Sequence, residues 1–240
     1  MTSRQRRQIR ILTYNIHGCI GRGGRYDAEA VLTVLQEVEA DFVALQEVYD
    51  EKPQDRQFLA SLRKLSYPSI EYGITMIHKT RGAYGNVFLS KWPLKSVDKI
   101  DLSVQPFEPR GAIHVNADIL GTSLEITATH LGLNSQERLA QVSKIINRWE
   151  TNNRQSGSKS LVCLVGDLNE WAPRGEVARL LERTFGKTRK LRTFPARFPT
   201  FALDRILVRP ETRVSKLSVI NSRLTRRASD QLPLVAELSM

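Results

Sequence analysis

Cysteine is scarce in this chain: Cys19 and Cys163 are the only two among 240 residues. Two thiols cannot build a disulfide framework, and neither lies in a metal-binding spacing, so both read as structural thiols in a reducing compartment. Long apolar runs are missing too. No stretch approaches the roughly 18 to 20 residues that a membrane helix needs, which excludes a helical span. Internal repeats and low-complexity tracts are absent. Acidic residues are outnumbered, with 25 Asp and Glu against 36 Lys and Arg, for a formal charge of +11. That balance favours polyanionic partners, nucleic acid first and an anionic phospholipid surface as the alternative. The positive charge is dispersed, however, and clusters only at residues 4–10, 187–192 and 223–227. Charge therefore points to a polyanion without deciding which one.

The start, MTSRQRRQIR, is basic but passes directly into IRILTYNI, with neither an apolar signal region nor a small-residue cleavage site. A cytoplasmic location is expected, with residues 1–8 as a basic N-terminal extension on one domain spanning 1–240. Apolar content of 41% and this length suffice for a substantial core.

The run LVCLVGDLN, residues 161–169, is apolar until it ends in Gly166, Asp167 and Asn169. It reads as a strand buried on both faces that carries a carboxylate and an amide to a rim. Other runs end the same way. Residues 9–16 alternate as a strand and lead to Asn15 and His17. A short strand over 42–45 is followed by Gln46 and Glu47. The strand predicted over 123–130 closes on Thr129 and His130, and LDRILV begins at Asp204. Helices are predicted from Asp27 to about residue 40, over 57–65, after an Asn134/Glu137 capping box, and through Val177 to Phe185. Gly121-Thr122 reads as a hairpin connection, TNNRQSGSKS as a polar loop, and GCIGRGGR as a flexible link lacking phosphate-loop spacing. Interleaved helices and strands without a compositional break indicate one α/β domain.

Asn15, Glu47, His130, Asp167, Asn169, Asp204 and Asp230 all fall at the edges of apolar runs. Carboxylates gathered without cations repel one another, so such a cluster calls for a divalent metal. Oxygen donors with few imidazoles suit Mg2+ or Mn2+ better than zinc. The chemistry that follows is metal-assisted hydrolysis of a phosphate ester.

In order, YNIHG, LQEV, GNVFLS, EPRG, THLG, GDLN, LDRI and SDQLP resemble the motif series of the endonuclease/exonuclease/phosphatase superfamily, the DNase-I-like metal-dependent phosphohydrolases. The resemblance implies a four-layer α/β/β/α sandwich of two mainly antiparallel sheets with helices outside. It implies a metal held by Asn15 and Glu47, with Asp230 close by. Asp167 would accept a proton from the attacking water and Asn169 would help position that water. His130 would stabilise a phosphate oxygen, and Asn86 and Arg110 would contact phosphate. A phosphodiesterase acting on DNA is the leading expectation. A phospholipid or phosphoinositide hydrolase is the alternative enzyme, and a binding module without turnover the non-enzyme one.

The chain departs from the family at one position. The superfamily pattern is Ser-Asp-His, where this chain has Ser229-Asp230-Gln231. By the resemblance, that histidine contacts the scissile phosphate and is oriented by the aspartate matching Asp204. Gln231 donates from its amide but cannot carry charge or exchange a proton near neutral pH. Loss of a general acid or base costs about 10² to 10⁴ in rate, so impaired turnover is expected. An inactivating replacement, a variant working through His130 and the metal, and a non-catalytic relative stay open. Tyr26, Tyr84, Trp171 and Phe198 fall in loops near the motifs and could stack on a base or enter lipid, with ordinary packing the simpler expectation.

Overall fold

The computed structural model describes residues 8–21, 23–50, 52–78, 82–156 and 160–240. Residues 1–7, nearly all of the expected basic extension, lie outside the described residues. The chain runs β1 (Gln8–Asn15), α1 (Ala28–Val38), β2 (Phe42–Tyr49), α2 (Pro53–Leu62), β3 (Ser69–His78), β4 (Gly82–Ser90), β5 (Leu94–Asp101) and β6 (Gly111–Ile119). It continues through β7 (Thr122–His130), α3 (Ser135–Ser156), β8 (Leu161–Asp167), α4 (Glu176–Phe185), β9 (Asp204–Arg209), β10 (Val214–Val219), α5 (Thr225–Ala228) and β11 (Leu234–Ser239).

These strands form two sheets, ordered β10-β11-β1-β2-β4-β3 and β5-β6-β7-β8-β9. The β1/β2 and β7/β8 pairs are parallel and the other pairings antiparallel, so each sheet is mixed but mainly antiparallel, as expected. Alternation decides what each sheet buries. In β1, Ile9 and Ile11 face the other sheet; in β8, Leu161, Cys163 and Val165 do the same. The opposite faces are covered by helices. Val31, Val34 and Leu35 of α1 pack on the first sheet, while Val142, Ile146 and Trp149 of α3 and Leu181 of α4 pack on the second. The result is helix, sheet, sheet, helix. β8 is buried throughout because both its faces are covered.

Several boundaries differ from the sequence expectations, for local reasons. The second helix spans Pro53–Leu62 rather than 57–65, because Pro53 supplies a preset first turn and the Asp55 carboxylate accepts from the Lys52 amide at 3.1 Å. α3 extends to Ser156, so the first half of TNNRQSGSKS is helical rather than loop. Asn134 does cap α3, accepting from the Gln136 and Glu137 amides at 2.9 and 3.3 Å. Glu137 does not complete a capping box but turns inward to Gln141, which donates to it at 2.9 Å. The glycine loop is built rather than loose. Ile20 and Tyr26 form a β-bridge, and Gly21 lies so close to the Arg227 carbonyl that any side chain there would collide with it. β5, with mostly exposed side chains, and β10, with mostly half-buried ones, carried too little apolar alternation to be legible. Both cysteines are buried and free. Among the described residues no helix is long and apolar enough to cross a membrane.

Candidate active site

Three of the predicted polar residues come from one sheet. β7, β8 and β9 pair so that His130 lies opposite Asp167, and Asp167 opposite Asp204. Ala128, Val165 and Ile206, two residues away on each strand, belong to the core between the sheets. Period-two alternation therefore aims all three polar side chains into the same gap, at its rim. Gly166 makes this approach possible. It holds φ at 141°, and a side chain there would strike the Thr129 carbonyl.

The first sheet contributes by a less regular route. Asn15 continues the inward face of Ile9 and Ile11. Glu47, by simple alternation, would follow Val43 and Leu45 toward the helices. The β2/β4 register shifts between Leu45 and Val48, and Glu47 adopts φ 59°, a left-handed conformation unusual for glutamate. This bulge brings its carboxylate round to the gap. Asn15 Nδ2 then donates to Glu47 Oε1 at 2.9 Å and to Asp167 Oδ2 at 3.0 Å, joining the two sheets through one amide. Asn15 Oδ1 is held by the His17 amide at 3.0 Å.

Asp167 is fixed from several directions. Its Oδ2 also accepts from Gln231 Nε2 at 2.8 Å and stands 3.6 Å from His130 Nε2, while its Oδ1 accepts from the Asn169 amide at 3.0 Å. Asn169, at φ 48°, uses both Nδ2 hydrogens, toward Leu131 O at 2.9 Å and His130 Nε2 at 3.0 Å. An imidazole that accepts at Nε2 carries its proton at Nδ1. The His130 Nδ1 is buried and has no hydrogen-bond partner among the described residues.

Gln231 contacts Asp167, not Asp204. The Asp204 carboxylate is fully buried, and neither oxygen has a well-formed hydrogen bond among the described residues. Burial, and next the neighbouring Asp167, hold its pKa well above the usual carboxylate range, with the Thr193 hydroxyl acting weakly the other way. Arg205 does not neutralise it by pairing in the same space. Adjacent strand residues point to opposite faces, and Arg205 goes with Leu207 toward the helix layer. Burial lowers the Arg205 pKa, against the pull of Glu170 and Asp204.

Asp230 stands at the mouth, 3.8 Å from His17 Nδ1. Partial burial raises its pKa first; His17 pulls it down, and Glu47 and Asp167 add to the rise. Ser229 ties this segment to the first sheet by donating to Asn15 O at 2.8 Å. Asn86 and Arg110, expected as phosphate contacts, are both buried. Asn86 Nδ2 donates to Gly111 O at 3.1 Å across the sheets, and Arg110 pairs with Glu108 at 3.3 Å.

Glu47, Asp167 and Asp230 bring three carboxylates together with the Asn15 amide, a donor set of hard oxygens. No three His, Cys, Asp or Glu side chains among the described residues enclose an ion by themselves. Oxygen donors of this kind could hold magnesium, which keeps several waters and takes one or two carboxylates. Glu47 and Asp230 are residues that could hold such an ion; Asn15, expected as a ligand, instead directs its amide hydrogens to Glu47 and Asp167 and its oxygen to the His17 amide.

Sequence reasoning missed supporting residues. His17 was noted at a strand end but not assigned to the site, although its spacing from Asn15 offered the signal. Arg138 and Glu170, both buried and 3.5 Å apart, gave none. Arg138 Nη1 donates to Leu133 O at 2.6 Å, and Glu170 Oε1 accepts from Ala172 N at 2.7 Å, so the pair links the loops following His130 and Asn169.

The family model for the Endonuclease/Exonuclease/phosphatase family matches residues 12–230. The chain belongs to that family. Its members are phosphoric ester hydrolases, and the matched span covers every residue placed in the cluster except Gln231. Among curated proteins, it is 29% identical to the Uncharacterized protein YbhP of Escherichia coli strain K12, over 98% of both chains. Among solved structures, an endonuclease/exonuclease/phosphatase from Beutenbergia cavernae superposes with a TM-score of 0.75 at 21% identity, over 98% of this chain and 72% of that one. Truncated Caenorhabditis elegans TDP2 gives a TM-score of 0.71 at 21% identity, over 97% of this chain and 98% of that one. These superpositions establish the fold, and the expected four-layer sandwich is the one the chain has.

Proposed function

We propose that this protein is a divalent-metal-dependent phosphodiesterase acting on nucleic acid, DNA in the first instance. One observation carries the reading. Glu47 and Asp167 share the Asn15 amide, His130 Nε2 stands 3.6 Å from Asp167, and Asp230 lies at the mouth beside His17. Bound magnesium, or manganese in its place, would polarise the phosphate and offset its charge. Glu47 and Asp230 would hold the ion, and Asn15 orients Glu47 by donating to its carboxylate at 2.9 Å. Asp167, anchored by Asn15, Gln231 and the Asn169 amide, takes the proton from the attacking water. His130 stabilises a phosphoryl oxygen as charge builds there, and a preset group of this kind acts without reorganising. Asn169 sets the direction of the His130 ring. Gln231 holds Asp167 by a neutral hydrogen bond and supplies no proton, so turnover is slower than a histidine at that position would give. Nucleic acid is favoured over small esters by the formal charge of +11.

The test is hydrolysis of bis-p-nitrophenyl phosphate and plasmid DNA with magnesium, manganese or chelator. Metal-dependent cleavage of both supports the reading. No cleavage of either substrate by folded protein with metal would reduce the site to a phosphate-binding relic.

A further inference from the structure

The arginines around residue 225 are not part of the cluster described above, yet they border it. Arg223, Arg226 and Arg227 stand on or beside α5, which leads within two residues to Ser229 and Asp230. With Arg25 and Arg197 they line an open groove of about 830 Å³, inside the range of about 300–1,000 Å³ typical of ligand sites. Asp27 is the one carboxylate lining it among the described residues, and it is occupied by Arg227 at 3.2 Å. The groove is a built feature. Ser222 and Thr225 fix the turn bearing the arginines through reciprocal hydrogen bonds of 2.9 and 3.1 Å, and Gly21 packs against the Arg227 carbonyl. Its far wall is tied directly to the catalytic rim, since Ala196 N donates to Asp230 O at 2.6 Å.

That wall also carries an aromatic ring. Phe198 is 68% exposed, with the Arg197 guanidinium 5.0 Å from its ring centre. Phosphate groups satisfy the arginines, but an exposed ring among them calls for a flat partner. Unpaired bases beside a phosphate backbone provide both, whereas bases inside a duplex present no free face for stacking. We propose that this groove is a subsite for single-stranded nucleic acid, holding phosphates and a base of the strand next to the bond presented to Asp167 and His130. The inference rests on the phosphodiesterase reading for its purpose, but binding to the groove requires no turnover.

Binding of labelled dT20 and rU20 in chelator, followed by fluorescence anisotropy across a salt series, tests it. Arg25→Ala with Arg223→Ala removes two groove charges. Lys95→Ala with Lys216→Ala removes the same charge elsewhere, and thermal melting checks that both variants fold. The groove variant is expected to bind at least about tenfold more weakly, with the salt slope smaller by about 1.4, because each phosphate contact on a single strand contributes about 0.7. Phe198→Ala should weaken binding about fivefold or more with its slope unchanged, as lost stacking requires. Equal weakening by both double variants, or loss of binding to phosphatidylserine vesicles while oligonucleotide binding stays intact, overturns the proposal. Groove-dependent binding by a chain that cleaves nothing would keep the subsite and sink the phosphodiesterase reading. Metal-dependent cleavage with groove-independent binding would do the reverse.

Discussion

The two sheets equip the same rim by different means. The β7-β8-β9 half places His130, Asp167 and Asp204 by regular register, each strand simply continuing its inward face. The β1-β2 half reaches Glu47 through a bulge and a left-handed residue, and follows Asn15 with further left-handed residues at His17 and Cys19. Regular pairing sets a carboxylate at a fixed depth in the core, which suits a group that must stay aligned with one bond. A bulge can turn a side chain out of phase with its strand, which suits a ligand that must meet an ion from the side. The strain this entails, of order 1–3 kcal/mol per such residue, is tolerated because the surrounding sheet overdetermines it.

Five substitutions separate the halves, taken from the largest expected effect. Asp167→Asn keeps the shape but removes the proposed base; kcat is expected to fall by at least about 10³, and added magnesium should not restore it. Recovery at high magnesium would place Asp167 with the ligands instead. Gly166→Ala forces a methyl onto the Thr129 carbonyl, and urea unfolding should show a loss of about 3 kcal/mol or more. Glu47→Gln should weaken magnesium binding about tenfold or more by calorimetry and cut activity in a way that excess metal partly restores. Unchanged affinity would remove Glu47 from the ligand set. Gln231→His restores a group able to exchange protons and should raise diester hydrolysis at least about tenfold. No gain in a folded variant would mean that Asp167 and His130 work around the glutamine.

The smallest effect lies away from the rim. Burial holds the His114 imidazole below its ordinary pKa, with Glu125 pulling it up and Arg148 adding to the fall. The unfolded chain then takes up a proton near pH 6.5 that the folded chain refuses, so stability is full above that pH and lost as pH falls below it. One such proton contributes a slope of at most about 1.4 kcal/mol per pH unit. His114→Gln should flatten the fall in Tm between pH 7 and 5.5; an identical profile would show that the histidine titrates alike in both states.

Much of this was legible in the residues themselves. LVCLVGDLN declares a doubly buried strand, because six apolar or small residues in succession suit only a layer covered on both sides. The polar residues ending β1, β7 and β8 are visible because the apolar run of each strand stops at them. The order of motifs, from YNIHG to SDQLP, carried the family and with it the two-sheet fold, which no local periodicity specifies. Strands β5 and β10 escaped because their pairing is set by partners rather than by their own pattern.

What only tertiary structure decided is which groups meet. Asn15 and Asp167 are 152 positions apart, and the single amide spanning Glu47 and Asp167 exists only because two sheets pack face to face. The same packing turns Gln231 toward Asp167 and leaves Asp204 without its amide, a choice invisible in the letters Ser-Asp-Gln. The sequence by itself determined which residues stop being apolar at strand ends, since burial patterns are local and periodic. The bulge at Glu47, the buried link from Arg138 to Glu170 and the arginine groove beside Asp230 depend on contacts between distant segments, and those are set by the packing of the folded whole.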